Sequence, residues 1–409
     1  MTRDVAVTGI GMITPAGVGA NATWQGLCSG QSFSSAHDPL LTGLPVDLSC
    51  PVREFDACDH LPRRTVRRTD AFTHFALTAA QEAAADAGLT PAAADPTRIG
   101  VVLGVASDSF TGVDKVCDRL RSGEHHLVSP LFLPRILPSM AAGEIAAHLD
   151  YRGPNFTVTS ACASGGHAIG VARDLIRAGT CDVVLAGGAE SGRSPVTAIS
   201  FARMGALSTR LHDPAGASRP FDRDRDGFVL GEGAAVLVLE NLDHARARGA
   251  AFHGTVAGYG ASADAHHPVN PHSDGRGLQQ AVMTALSDAC MTPADIDHAS
   301  AHATSTQAGD IAEARALNRI FSAAPPPVTA LKGSIGHALG AAAAIQAASA
   351  LLTLKHQAIP PTANLDHQDD AIDLDIVRKA PRSARLRTVL TTASGFGGAN
   401  AALILRAAD

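Results

Sequence analysis

Aromatic side chains are scarce in this chain: they make up 4% of its 409 residues, with one Trp and two Tyr. A core with so few large rings has to be filled by small side chains held close together, and the many Ala and 39 Gly residues fit that expectation. Paired cysteines are also missing. The seven that exist, Cys28, Cys50, Cys58, Cys117, Cys162, Cys181 and Cys290, are scattered without a CxxC pair or a metal-ligand spacing. That pattern excludes a disulfide scaffold and a zinc-type site, and reads as the reduced thiols of a cytoplasmic protein. No uninterrupted membrane span is present. The most apolar stretch, residues 339 to 354, is broken by Gln346, Ser349 and Thr353 and is expected as a buried helix. An excess of positive charge is absent too. Lys and Arg number 33 against 39 Asp and Glu, a net charge of -6, which argues against general nucleic-acid binding. Met1 to Val5 lead directly into a strand pattern, so no signal peptide is expected.

What is present is a long chain, 45% hydrophobic, that exceeds the usual size of one hydrophobic core and predicts two lobes. Apolar strands are expected at 5–11, 99–104, 181–188 and 234–239, with a helix at 72–88, a loop and helix at 130–148 and a helix after Cys162 between them. Strands at 254–259, 298–303, 388–393 and 402–406, with helices at 277–290 and 339–354, repeat that outline. Apolar strands alternating with helices predict an α/β plan whose sheets are covered on both faces. The opening Val7-Thr8-Gly9-Ile10-Gly11 is not a dinucleotide site, because Thr14 replaces the third glycine and no acidic residue follows at ribose-binding distance.

The chemistry centres on Thr157-Val158-Thr159-Ser160-Ala161-Cys162-Ala163-Ser164-Gly165-Gly166. A β-branched run ends at a cysteine that opens a helix, where backbone N–H groups and partial positive charge favour a thiolate. Taken alone, such a cysteine reads as buried core. Two histidines change that reading. His302 ends an apolar strand ahead of Ala303-Thr304-Ser305-Thr306, and His337 stands in Lys332-Gly333-Ser334-Ile335-Gly336-His337 at the mouth of a helix. Strand–helix junctions of this kind cluster at one sheet edge. Arg63, Arg64, Arg67 and Arg68 form a dense basic cluster before the helix at 72–88, which alone reads as a solvated helix end.

Read in order, these motifs resemble the β-ketoacyl-acyl-carrier-protein synthases, the elongating ketosynthases of the thiolase-like condensing enzymes. The resemblance is carried by Val7 to Gly11, Ser160 to Gly165, Ala186-Gly187-Gly188-Ala189-Glu190, Arg219-Pro220-Phe221-Asp222 and Arg225 to Gly233. In the second half His302, Thr304, Ser305, Thr306, Gly309, Asp310, Glu313, Lys332, Gly336-His337 and Gly395-Phe396-Gly397-Gly398 carry it. It implies two duplicated βαβαβαββ halves, residues 1–250 and 251–409, in a five-layer αβαβα sandwich. It implies that Cys162 takes an acyl chain as a thioester and that His302 and His337 hold an enolate formed by loss of CO2 from a malonyl unit. Tautomers set by neighbouring backbone would give both imidazoles an Nε2 proton. Lys332 supports the His337 region. The Cys162 and Phe396 N–H groups form the oxyanion site, and Phe396 gates the acyl pocket. Thr304 and Thr306 contact substrate, while Asp310, Glu313, Gly397 and Gly398 shape the site.

The same resemblance implies no metal and no organic cofactor, phosphopantetheine arriving on an acyl carrier protein. It places carrier docking on Arg63, Arg64, Arg67 and Arg68, extended by Arg203. It also implies a dimer, either of identical chains or with a chain-length-factor-type homologue. Pocket depth is expected to depend on Ser107, Asp108, Phe110, Phe201 and Arg203. The function implied is a ketosynthase of type II polyketide assembly, with type II fatty-acid elongation as the alternative. A non-catalytic chain-length factor is disfavoured by Cys162. A degradative thiolase is disfavoured because no cysteine lies near the 395–400 loop. The chain departs from the family pattern at Ala303, Gly333, Gln346 and Ala399. Gln346 stands where a glutamate is usual, which implies a Lys332 without its charge partner, and these departures argue against a plain housekeeping role.

Overall fold

The computed structural model describes residues 4–90, 94–107, 109–322 and 325–408. Five strands of the first half are β1 (Val5–Thr14), β2 (Ile99–Gly104), β3 (Asn155–Val158), β4 (Val183–Ser191) and β5 (Leu230–Asn241). They lie in the order β3-β2-β4-β5-β1. The second half contributes β6 (Gly254–Ala263), β7 (His298–Ser300), β8 (Val328–Thr329), β9 (Thr388–Gly395) and β10 (Ala399–Ala407), in the order β8-β7-β9-β10-β6. Position by position the two orders are the same, and so are the directions. In each half the first two pairs are parallel and the last two antiparallel. The halves join where β1 meets β6 through Ala6 with Thr255 and Val7 with Gly254.

The helices used below are α1 (Arg63–Arg68), α2 (Ala71–Asp86), α3 (Val113–Arg121), α4 (Ser139–Leu149), α5 (Ser164–Arg177), α6 (Pro195–Arg203), α7 (Arg276–Asp288), α8 (Gln307–Ile320), α9 (Lys332–Ile335) and α10 (Leu339–His356). Helices α2 and α4 cover the outer face of the first sheet, and α7, flanked by α8, covers that of the second. Between the sheets run α5 and α10, which touch strands of both halves. Five layers result, α, β, α, β, α, and the thiolase-like ketosynthase fold implied by the motifs is the one observed. Three apolar clusters fill the gaps. The central one joins Val7, Ile10 and Leu237 to Ile169, Ile345 and Leu351, and one lies under each outer layer.

The shortage of aromatics is explained at the helix–sheet contacts. A Cβ on Gly9 or Gly11 of β1 would lie 2.1 Å from Ala83 O or 1.9 Å from Ala79 O of α2. In the second half a Cβ on Gly258 or Gly260 of β6 would lie 2.3 Å from Ala285 O or 2.0 Å from Ala281 O of α7. Bare strand backbone therefore packs on bare helix backbone, an approach that only glycine permits. The central layer repeats the device. A Cβ on Gly165 of α5 would sit 2.9 Å from Gly340 O and from Ala344 N of α10. The helices that open at Cys162 and at His337 are pressed together at their N-termini.

Candidate active site

Each functional side chain leaves the carboxyl end of a strand or the mouth of a central helix. Cys162 follows β3 and precedes α5, in a turn forced by Ala161, whose φ of 50° is left-handed. His302 follows β7, Lys332 opens α9, and His337 lies between α9 and α10. His337 Nε2 stands 3.1 Å from Cys162 Sγ. The His302 and His337 rings meet edge to face at 5.5 Å. Phe228 packs edge-on against His337, and Phe201 bridges Phe228 and Phe396. Together these groups border a cavity of about 540 Å³ that also takes in Thr304, Thr306, Met204, Leu278 and Leu339. The Thr304 and Thr306 hydroxyls lie 3.0 Å apart on its wall.

Burial dominates the electrostatics. The Cys162 thiol is pushed up to about 11, first by desolvation, with Lys332 and the N–H groups of Cys162 and Phe396 acting the other way. The expected thiolate is thus corrected to a resting thiol, because a helix end and one ammonium offset less than burial costs the anion. Both cavity histidines are held well below the ordinary imidazole value by desolvation and then by the Lys332 charge, so they are neutral. Lys332 donates to His302 O at 2.5 Å and stands 3.5 Å from His302 Nδ1. An ammonium has only protons to offer, so His302 Nδ1 accepts and its Nε2 carries the hydrogen. The tautomers are therefore not set by backbone, as the motifs implied. A lysine orders His302, and His337 Nδ1 has no hydrogen-bond partner among the described residues.

The buried carboxylates are accounted for. Glu313 accepts the N–H groups of His302 at 2.8 Å and Ala303 at 2.7 Å and the Thr392 hydroxyl at 2.6 Å. It also supplies the charge expected to be missing beside Lys332. That lysine is lowered to about 8 by burial, with Glu313 opposing the shift. Gln346 is occupied elsewhere, donating to Ser300 O and Thr392 O. Asp310 accepts from Phe221 N at 2.8 Å and Ser305 N at 3.1 Å and lies 3.4 Å from Arg225, which ties the Thr304–Thr306 turn to the core. Gly397 and Gly398 take positive φ of 79° and 75° and carry the loop back into β10. Among the described residues no group of three or more His, Cys, Asp or Glu is arranged to hold a metal.

The first part of the chain, residues 2–245, matches the model of the β-ketoacyl synthase N-terminal domain, and residues 253–366 match that of the C-terminal domain. The chain belongs to the β-ketoacyl synthase family. It is 40% identical over 416 residues to a 3-oxoacyl-[acyl-carrier-protein] synthase 2 from Rhizobium meliloti, covering 99% of both chains. Among solved structures it resembles the ishigamide ketosynthase/chain length factor, with a TM-score of 0.93, 34% identity and complete coverage of both chains. It resembles equally fully a type II polyketide ketosynthase described in complex with its acyl carrier protein and bound to the hexaketide, at a TM-score of 0.91 and 32% identity.

Several expected site residues fall elsewhere in the synthase. Arg63, Arg64 and Arg67 are exposed on α1, but Arg68 is drawn into a two-point pair with the nearly buried Glu144 at 3.0 and 2.5 Å. It is a structural residue of the α1–α4 contact. Arg203 is exposed at the end of α6, next to the cavity-lining Met204, and does not line the cavity itself. Phe201 does line it, whereas Ser107 and Phe110 do not, and Asp108 lies outside the described residues. Met204, Phe228 and Leu339, with Val269 and Pro271 of the 264–275 loop, also line it. Phe228 and Leu339 were within reach of the sequence, since Phe228 lies inside the Arg225–Gly233 motif and Leu339 two residues beyond His337. The 264–275 loop carried no signal.

Proposed function

We propose that this synthase is a discrete ketosynthase of a type II polyketide pathway, joining a Cys162-bound acyl chain to a malonyl unit on an acyl carrier protein. The observation that carries this reading is the 3.1 Å contact of His337 Nε2 with Cys162 Sγ, beside a second neutral imidazole, on the wall of one cavity. In the first step the Cys162 sulfur attacks the thioester carbonyl of the acyl carrier. The thiol proton is given up as the departing phosphopantetheine sulfur takes one up, and the tetrahedral oxyanion lies on the Cys162 and Phe396 N–H groups. In the second, the C–CO2 bond of the malonyl unit breaks and its electron pair becomes an enolate, whose oxygen takes hydrogen bonds from the two imidazoles. The enolate carbon then attacks the Cys162 thioester, the new C–C bond forms, and the cysteine sulfur leaves and takes up one proton from solvent. Neutral donors suit this task, since both histidines must be uncharged and oriented beforehand. No step calls for a metal or an organic cofactor.

The similarity to a ketosynthase/chain length factor and to a carrier-bound polyketide ketosynthase supports an acyl carrier protein as substrate donor and a dimer, homomeric or with a chain-length-factor homologue. The repeated strand order supports residues 1–250 and 251–409 as the two halves. No helix among the described residues is long and apolar enough to cross a membrane, and the cytoplasm is the compartment proposed. A second reading, fatty-acid elongation, is favoured by the identity to the Rhizobium meliloti synthase. The test is to incubate the protein with acyl carrier proteins, with and without a co-encoded homologue, and to follow Cys162 by intact mass. Cys162→Ala is expected to take no acyl group. His302→Ala is expected to acylate and to lose decarboxylation. Acylated Cys162→Ala protein refutes the nucleophile assignment. Extension by the lone chain selects the fatty-acid reading, and extension only with a partner selects the polyketide one.

A further inference from the structure

Glu190, near the end of β4, is 4% exposed, yet among the described residues it forms no ion pair with Lys, Arg or His. One oxygen reaches two other elements: Oε2 accepts the N–H of Ala106 at 2.9 Å and of Gly340 at 3.3 Å. Ala106 follows β2 and packs in the same apolar cluster as Cys162, Phe201 and Leu339. Gly340 lies in the first turn of α10, three residues beyond His337. The join has no slack, for a Cβ on Gly340 would sit 2.4 Å from Ala106 N and 2.9 Å from Glu190 Oε2. On its other side His337 is pinned to the start of β5. Its N–H donates to Val229 O at 2.8 Å and its carbonyl accepts Gly231 N–H at 3.0 Å. Between these anchors Leu339 has φ of 41°, a conformation that a branched residue keeps only where its surroundings impose it.

We propose that Glu190 is a positioning residue whose carboxylate staples the His337 turn to the rim of the acyl pocket and so sets His337 Nε2 over Cys162. This rests on the ketosynthase roles proposed for those two residues. Burial raises the Glu190 carboxyl itself to about 7, so it is ionised in the alkaline range where the thiol titrates, and there its charge disfavours the Cys162 anion, against the attraction of Lys332, with His302 and His337 the neutral groups alongside.

Two variants separate the staple from the charge. Glu190→Gln keeps an oxygen for both N–H groups and loses the charge, whereas Glu190→Ala loses both. Condensation by pre-acylated enzyme and the pH profile of Cys162 alkylation by iodoacetamide are followed by mass. Glu190→Ala is expected to slow condensation about 10²-fold, the cost of a displaced catalytic group, with KM for the malonyl carrier little changed. Glu190→Gln is expected to restore the rate and to move the alkylation midpoint to lower pH. Should Glu190→Ala fail to fold, Glu190→Asp, which withdraws the oxygens but keeps the charge, is expected to lose condensation. Wild-type condensation in Glu190→Ala or Glu190→Asp, or no rescue by Glu190→Gln, overturns the staple, and an unmoved alkylation profile in Glu190→Gln overturns the charge effect. A wild-type protein that never acylates Cys162 overturns the ketosynthase reading instead, and the alkylation profiles still decide the role of the Glu190 charge.

Discussion

His298 shows how far a single side chain can stand from function. It opens β7, four residues before His302, and is fully buried, with neither ring nitrogen hydrogen-bonded among the described residues. Desolvation lowers its pKa from 6.5 to about 3, so the folded protein keeps it neutral where the unfolded chain would bind a proton. The unfolded state then binds more protons between those two values. The contribution to stability is whole above about pH 6.5 and is lost as pH falls toward 3. His298→Leu also removes two unsatisfied buried nitrogens, a gain of about 1–3 kcal/mol. Denaturant titrations at pH 7.5 and pH 5 should show the variant more stable at both, with the larger difference at pH 5. Equal pH dependence in the two proteins contradicts the neutral buried state. Identity at this scale was legible only where a motif named it. Cys162, His302, Lys332, His337 and Glu313 could be singled out, but the hydrogen bonds of Glu313 to the His302 and Ala303 N–H groups and the pairing of Arg68 with Glu144 could not, because they arise from folded geometry that no spacing encodes.

Among elements, the strand Ile99–Gly104 has the bounds its unbroken apolar run predicts. The run at 181–188 slips to Val183–Ser191, since Cys181 and Asp182 close the preceding turn and the strand continues through the polar Glu190 and Ser191. That continuation was invisible to hydropathy, yet it delivers Glu190 to the site. The basic cluster is likewise more structured than a solvated end: six residues form α1, with Thr65 buried and Arg68 spent on α4. Docking, if α1 performs it, falls to Arg63, Arg64 and Arg67. Reversing Arg64 and Arg67 to Glu is expected to slow transfer from an acyl carrier protein, more at low salt than at high salt. Arg68→Glu is expected instead to lower thermal stability, by setting a second carboxylate against Glu144. Transfer rates measured across a salt series, beside melting curves, tell these outcomes apart. A salt-independent rate in the Arg64/Arg67 variant removes the patch.

For the whole molecule, the contact between the two central helices decides whether there is a site at all. Gly165→Val would drive carbon into Gly340 O and Ala344 N, backbone atoms that cannot turn aside. Overpacking of this kind costs about 1–3 kcal/mol, and here it also parts the helix that begins behind Cys162 from the one that begins behind His337. A lowered melting temperature together with lost condensation is expected, and wild-type activity at an unchanged melting temperature would show that the crossing tolerates separation. The repeated strand order has a last consequence. One topology is used twice, and each copy brings the open end of its central helix to the same cleft, yet the copies arrive bearing unlike groups. The first brings a sulfur with no imidazole of its own beside it, and the second brings imidazoles, a lysine and no thiol at that place. Neither is a weaker version of the enzyme. Severed at the seam between β5 and β6, the chain would yield a donor without an acceptor and an acceptor without a donor, and the reaction would return only when the two were rejoined face to face.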